Sequence, residues 1–413
     1  MQDFGGAGVA AYRLHLGLKS IGVWSKMLVL HQSLLNRDVV KFTQKNNIFG
    51  RIQNLRRRRL ISSEFNVYKD TRPKGLEIFT DDRSVYGISK HPLVQEADIV
   101  NLHWIAGMVD YTEFFTNIVD KPIAWTLHDM NPFTGGCHYS GECKKYKTGC
   151  GACYQLGSED SNDLSKRIWK RKEKVYKNCN IHVVALSEWL SDCARQSQLF
   201  KKFKVDLIPN GLSTSVFAKR DKQYSRELLE LPKDKVLILF GGQSVTNPRK
   251  GASYLKKALK LLNNKVDNFN IALLILGSNS SSFLRAVEFP VYLLGTIQDE
   301  LLLSNVYSAS DISVIPSLED NLPNICLESM ACGTPPVGFD TGGMRDMIIP
   351  HKTGLLAESK NVQDLADKIE YMVTHLEERE IMGQNARKLV EQEYTLQVQA
   401  KRYLKFYEEM SKV

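Results

Sequence analysis

Short apolar runs alternate with helical patterns along this chain, and they do so in two separate series. The first has strand patterns at Trp24 to Leu30, Ile99 to His103, Ile123 to Leu127, Ile181 to Leu186 and Val205 to Ile208, with helical stretches at Val9 to Ser20 and around Lys166 to Lys174. The second has strand patterns at Val236 to Phe240, Ile271 to Leu276, Val291 to Leu294, Ile312 to Pro316 and Pro336 to Phe339, with helices at Ala252 to Leu262, Asp299 to Ser308 and Asn324 to Ala331. Strands that alternate with helices predict parallel sheets covered on both faces. A length of 413 residues exceeds what one core usually supports. The expected architecture is therefore α/β, with two Rossmann-like, doubly wound domains facing a central cleft.

The turn Pro209-Asn210-Gly211 closes the first series, and the polar segment Lys219 to Lys235 opens the second. Expected domains are 1–212 and 213–395, with a helix over 396–413 packing back on the first. Only Met1 to Phe4 precede the glycine loop Gly5-Gly6-Ala7-Gly8, whereas such a loop normally follows a full strand. Either the natural start lies upstream, or the first central strand is missing.

Lys plus Arg outnumber Asp plus Glu by 55 to 46, and the excess gathers at Arg56 to Arg59 and at Lys166 to Lys174. From the end of the strand pattern at Leu30 to about Lys74 the sequence reads as a polar basic stretch. Ile168, Trp169, Val175 and Tyr176 interleave with the second run, which reads either as a solvated face or as a helix lying on an anionic membrane. No apolar run approaches the ~20 residues that span a bilayer, and the N-terminus lacks a signal-peptide pattern. These features predict a cytoplasmic protein, peripheral on the inner face of the membrane, with no specific nucleic-acid partner. Thiols would then be reduced, so the 8 cysteines are read as free or metal-bound. Cys137, Cys143, Cys150 and Cys153 fall within one loop and are candidates for a structural zinc site, with free thiols as the other reading. Cys326 and Cys332 read as packing residues.

In open parallel sheets, ligands sit beyond the carboxyl ends of strands, where helix N-termini offer free amides. The segment Pro316 to Gly333 has this form: a strand end, a polar loop, Pro323 near a helix start, and then the helix itself. Amides around Asn321, Leu322, Pro323, Asn324 and Ile325 would cradle a diphosphate. Glu328, about one turn inside, would accept ribose hydroxyls, and Asp320 would reach sugar hydroxyls. The other reading makes Asp320 an N-cap and Glu328 a solvated carboxylate.

The segment resembles the acidic signature of family-4 glycosyltransferases of the GT-B fold, two acids with seven residues between them followed by Ala-Cys-Gly-Thr-Pro. Gly241-Gly242 with Arg249-Lys250-Gly251 resembles the family's phosphate loop, and Thr341-Gly342-Gly343 and Gly354-Leu355-Leu356 its closing strands. Gly5-Gly6 resembles its acceptor-side loop, and Thr126-Leu127-His128-Asp129 its strand-end histidine motif. Two positions depart from the pattern: Asp320 stands where Glu is usual, and Gln243 stands where Arg is expected.

The resemblance implies a retaining transferase that moves a sugar from a nucleotide-diphosphate sugar to a hydroxyl on a glycan or lipid-linked glycan, as in bacterial surface-polysaccharide synthesis. It implies no catalytic metal, and the sequence has no Asp-x-Asp triplet. Lys250, with Arg249 and Gly242, would face the leaving diphosphate, and His128 the donor sugar. His103, with Gly5 and Gly6, would line the acceptor side. A catalytically silent nucleotide-sugar-binding protein, a GT-B sugar-nucleotide epimerase and a phosphorylase remain as alternatives.

Overall fold

The computed structural model describes residues 5–33, 36–44, 47–263, 270–279, 281 and 287–412. Met1 to Phe4, on which the question of a missing strand turns, lie outside them. Two compact units are present: Met1–Pro209 with Ala400–Val413, and Asn210–Gln399.

The first unit carries β1 (Met27–Val29), β2 (Val39–Lys41), β3 (Val100–His103), β4 (Ile123–Leu127), β5 (Ile181–Ala185) and β6 (Val205–Leu207). The second carries β7 (Val236–Ser244), β8 (Ile271–Ser278), β9 (Val291–Gly295), β10 (Ile312–Ile315), β11 (Pro336–Phe339) and β12 (Leu355–Ala357). All their pairings are parallel, as the alternation of strand and helix predicts. The second unit forms one sheet of order β12-β11-β10-β7-β8-β9, a doubly wound arrangement whose strand order reverses between β7 and β10. Its central strands are buried over Leu237 to Phe240, Ile271 to Ile275 and Ile312 to Ile315, and one face of them, with Ile238, Phe240, Ile271, Leu273, Ile275, Ile312 and Val314, shares one core. Burial on both faces is why these runs are continuously apolar rather than alternating.

The first unit is divided. β3-β4-β5-β6 form one sheet, while β1 and β2 pair apart from it. Met27 and Leu28 of β1 and Val100 to His103 of β3 line a cavity of ≈ 750 Å³, with Leu14 and Leu18 of the helix Gly6–Ser20. The helix Leu396–Met410 closes this unit's other core: Tyr403 and Phe406 pack with Leu14, Ala124 and Val184, and the Tyr403 hydroxyl meets Thr126 Oγ1 at 2.9 Å.

Three readings of the sequence are corrected here. The polar basic stretch before Lys74 contains β2 and a helix, Ile48–Asn66, none of whose residues is buried. Helix Val9 to Ser20 begins earlier, at Gly6, because Gly5 supplies the left-handed turn into it (φ 88°). The basic helix, Leu164–Tyr176, does not present its apolar residues outward: Ile168, Trp169 and Tyr176 are core. Several of its bases are also used internally, since Arg171 pairs with Asp82 at 2.5 Å and Lys172 Nζ donates to the carbonyls of Asn131 (2.5 Å) and Thr134 (3.1 Å).

Candidate functional site

The carboxyl ends of β7 and β10 flank the point where the second sheet's strand order reverses, and three loops meet there. Glycines permit the meeting. Gly251 turns at φ 73° with its α-carbon against the Pro316 carbonyl, where an added Cβ would sit 1.7 Å from that oxygen. Gly342 (φ 56°) backs onto the Asp320 carbonyl in the same way, at 1.9 Å. Hydrogen bonds lock the arrangement: the Leu318 amide donates to the Arg249 carbonyl (2.8 Å), the Gly343 amide to the Asp320 carbonyl (3.0 Å), and Thr341 Oγ1 to the Leu318 carbonyl (3.0 Å). The loop after β10 is thus clamped between the Arg249-Lys250-Gly251 turn and the Thr341-Gly342-Gly343 turn.

Charge is concentrated inside the clamp. Lys250 Nζ donates to Asp320 Oδ2 at 2.6 Å, Arg249 Nη1 lies 3.3 Å from the same oxygen, and Ser317 Oγ donates to it at 3.2 Å. Burial alone would raise the Asp320 carboxyl, but Lys250 and Arg249 outweigh it and hold it down at about 2. Asp320 is therefore an anion that positions two cations. Their charges exceed its own by one, and Lys250 keeps about a fifth of its side chain exposed. Gly242 sits beside Lys250, its α-carbon facing the Lys250 stem.

The helix Asn324–Ala331 begins at this clamp with Pro323 as its N-cap, so Asp320 is not the cap. Asn321 and Leu322 are buried before it, and Ile325 reaches back to Gly241. The Cys326 amide already bonds the Pro323 carbonyl; the amides at the very head of the helix lack an intrahelical acceptor and carry the positive end of its dipole. Glu328 is buried rather than solvated, and Tyr307 Oη donates to its Oε2 at 2.7 Å, which fixes the carboxylate. Cys326 and Cys332 are buried packing residues. Gln243 is exposed, and its backbone carbonyl accepts from Ser278 Oγ.

In the first unit, His103 ends β3 and His128 lies just past β4. Register places His103 opposite Thr126, so the two rings meet, with Nδ1 of His103 2.9 Å from Nε2 of His128. Burial lowers both: His128 falls to about 4, and His103 falls well below its ordinary value by burial first and the nearness of His128 second. Both rings are neutral at neutral pH, so one donates and the other accepts. Gly5 and Gly6 head the helix Gly6–Ser20 with open space beside their α-carbons.

The sequence did not single out a neighbouring network. Asp129 accepts from Trp104 Nε1 (2.8 Å), His138 Nδ1 (2.7 Å) and the Asn131 amide (2.9 Å), and His138 Nε2 meets Thr80 Oγ1 at 2.8 Å. Trp104 pays for this contact with a left-handed backbone, φ 38°, which a bulky residue rarely adopts. A Trp directly after a strand-end His was the only signal, and neither residue type announces such a backbone. Cys137, Cys143, Cys150 and Cys153 all line one small cavity.

Comparison with known proteins bears on both units. Residues 221–389 match the family model described as glycosyl transferases group 1. The capsular polysaccharide biosynthesis glycosyltransferase CapM of Staphylococcus aureus is 25% identical over 238 residues, 55% of this chain and 61% of that one. Curated relatives of this kind are matched over 45% to 61% of their own length. Among solved structures, sucrose-phosphate synthase of Thermosynechococcus elongatus superposes with a TM-score of 0.65 at 18% identity, over 99% of this chain and 94% of that one. Anabaena Alr3699/HepE, solved in complex with UDP-glucose, superposes with a TM-score of 0.58 at 16% identity, over 76% and 79%. The chain has the fold of the GT-B glycosyltransferases, and its second unit contains the stretch similar to glycosyl transferases group 1.

Proposed function

We propose that this chain is a retaining glycosyltransferase that moves a sugar from a nucleotide-diphosphate donor to a hydroxyl acceptor. The observation that carries the proposal is the switch-point clamp, which aims Lys250 and the head of the helix Asn324–Ala331 at one place while Glu328 stands fixed one turn inside. Departure of a nucleoside diphosphate builds negative charge on phosphate oxygens, and preorganised cations and amides stabilise such charge. Lys250 and Arg249, held by Asp320, take the diphosphate; Glu328 accepts the ribose hydroxyls. As the bond from sugar C1 to the phosphate oxygen breaks, the acceptor oxygen bonds C1 from the same face, and its proton passes to the departing phosphate. His103 and His128, neutral, serve as hydrogen-bond partners for sugar or acceptor hydroxyls.

The likeness to CapM supports a glycan acceptor of the surface-polysaccharide kind. The exposed helix Ile48–Asn66 supports docking on an anionic membrane, in place of the basic helix Leu164–Tyr176. Arg57 and Arg58 stay exposed but bond to the rest of the unit, Arg57 Nε donating to the Ser84 carbonyl (2.7 Å) and Arg58 lying over the Tyr86 ring. By helical spacing, Ile48, Ile52, Leu55 and Arg59 share an outward stripe, flanked by Phe49, Arg56 and Leu60. Ile48 is 79% and Phe49 68% exposed, and apolar residues mixed with arginines suit an anionic bilayer surface.

The test is a panel of radiolabelled nucleotide sugars incubated with extracted lipid-linked acceptors. Transfer from at least one donor with retention supports the proposal. Release of an epimer without acceptor would assign an epimerase, and binding without turnover a silent sugar-nucleotide protein.

A further inference from the structure

The loop between His128 and the helix Leu164–Tyr176 holds four cysteines that the transfer chemistry does not use. Cys137, Cys143, Cys150 and Cys153 converge on a cavity of ≈ 20 Å³, walled on its apolar side by Phe79 and Tyr146. Each sulfur is within electrostatic reach of the other three. All four are free thiols.

The backbone around them is shaped to bring sulfur inward. Between Cys150 and Cys153, Gly151 (φ 139°) and Ala152 (φ 44°) both take positive φ, an unfavourable conformation for Ala that tightens the Cys-x-x-Cys turn. The Gly135 amide donates to Cys150 Sγ at 3.2 Å, and the Leu156 amide donates to the Cys153 carbonyl at 3.0 Å, closing the turn after the last cysteine. Amides aimed at sulfur are worth most when the sulfur is a thiolate. Positive charge stands ready as well. Lys172, fully buried, lies near Cys137 and Cys150 while donating only to backbone carbonyls among its described hydrogen bonds, and Lys145 Nζ caps the carbonyls of Gly151 and Ala152.

We propose that Cys137, Cys143, Cys150 and Cys153 bind one structural zinc ion. Four thiols surrender four protons, and the resulting tetrathiolate zinc centre of charge −2 is offset by Lys172 and Lys145. A closed S4 set with no open position is the chemistry of a structural, not a catalytic, site. Among the described residues no three His, Cys, Asp or Glu side chains already share one ligating point. Binding therefore requires the four sulfurs lining the cavity to draw inward from the positions they hold here. The bound ion fixes the loop that carries His138 and, through it, Asp129 and Trp104.

The test is elemental analysis of the full chain purified with a thiol reductant and without chelator, beside Cys150→Ser/Cys153→Ser and Cys179→Ser/Cys193→Ser. About one zinc per wild-type chain is expected, retained by the second variant and lost by the first. Removing zinc with a strong chelator lowers the melting temperature, because binding free energy is folding free energy at such a site. A wild-type chain without zinc and with an unchanged melting temperature under chelator overturns the proposal. So does non-reducing mass spectrometry showing these four cysteines paired as two disulfides.

Discussion

The two units solve the same architectural problem differently. Among its described residues the second has one unbroken six-stranded sheet, and its site loops are pinned by glycine contacts that admit no side chain, at Gly251, Gly342 and Gly277. The first divides its strands between a sheet of four and a pair, with a cavity of ≈ 750 Å³ between β1 and β3. Its candidate site residues are held by ring-to-ring and side-chain hydrogen bonds instead. Backbone locked against backbone fixes charge in place before a ligand arrives, as electrostatic stabilisation requires. Side chains bonded to side chains adapt more readily and are easier to disturb. On the function proposed above, the donor would sit on the first kind of scaffold and the acceptor on the second.

The largest effect that would break this contrast is at Lys250. Lys250→Gln should lower the transfer rate about a hundredfold, since it removes a cation from the leaving diphosphate. Arg249 remains 3.3 Å from Asp320, so the carboxylate keeps a partner and circular dichroism should show an intact fold. A wild-type rate would mean that the clamp is structural only.

A smaller effect is expected at the surface of the first unit. Ile52→Glu with Leu55→Glu should weaken binding to vesicles containing anionic lipid at low salt by about tenfold, and vesicles of neutral lipid should bind poorly in either case. Equal binding of wild type and variant would remove the helix Ile48–Asn66 from the account.

The smallest effect sharpens the comparison through pH. His128 is held at about 4 and His103 well below its ordinary value, both by burial first, and His15, His91 and His182 of the same unit shift in the same direction. Unfolded histidines take up protons near 6.5, which folded His128 resists until about 4, so the first unit loses stability as pH falls through that window and none above it. Asp320, held at about 2, contributes stability that is lost only as the pH falls from the ordinary carboxyl value of 3.8 toward 2, so this pair does not weaken the second unit in the same window. Urea unfolding at pH 7 and pH 5 should therefore lower the first unit's midpoint more than the second's, and His128→Gln should reduce the difference. Equal shifts of both midpoints would contradict it.

Much of the second unit was legible because its strands are buried on both faces: Ile271 to Leu276 can be little else, and Asn324–Ala331 was read with the bounds it has. The clamp was legible in its motifs but not in its wiring. Spacing brings Asp320 and Glu328 to one helix start, yet nothing in it says that Asp320 turns inward to Lys250 while Tyr307 secures Glu328. The first unit hid more. The run Arg56 to Arg59 masked a helix, since charges on consecutive positions blur a 3.6-residue period, and the bases around Trp169 masked a buried face. The strained backbone at Trp104 arises from a tertiary contact with Asp129 and has no local signature.

The most direct measurement is calorimetric titration of the full chain with a panel of nucleotide-diphosphate hexoses, repeated with Glu328→Gln. At least one donor should bind once per chain, with a dissociation constant between about 1 μM and 1 mM, and the variant should bind it about tenfold more weakly. If no nucleotide sugar binds, or if the variant binds as the wild type does, the switch-point clamp is not a donor site.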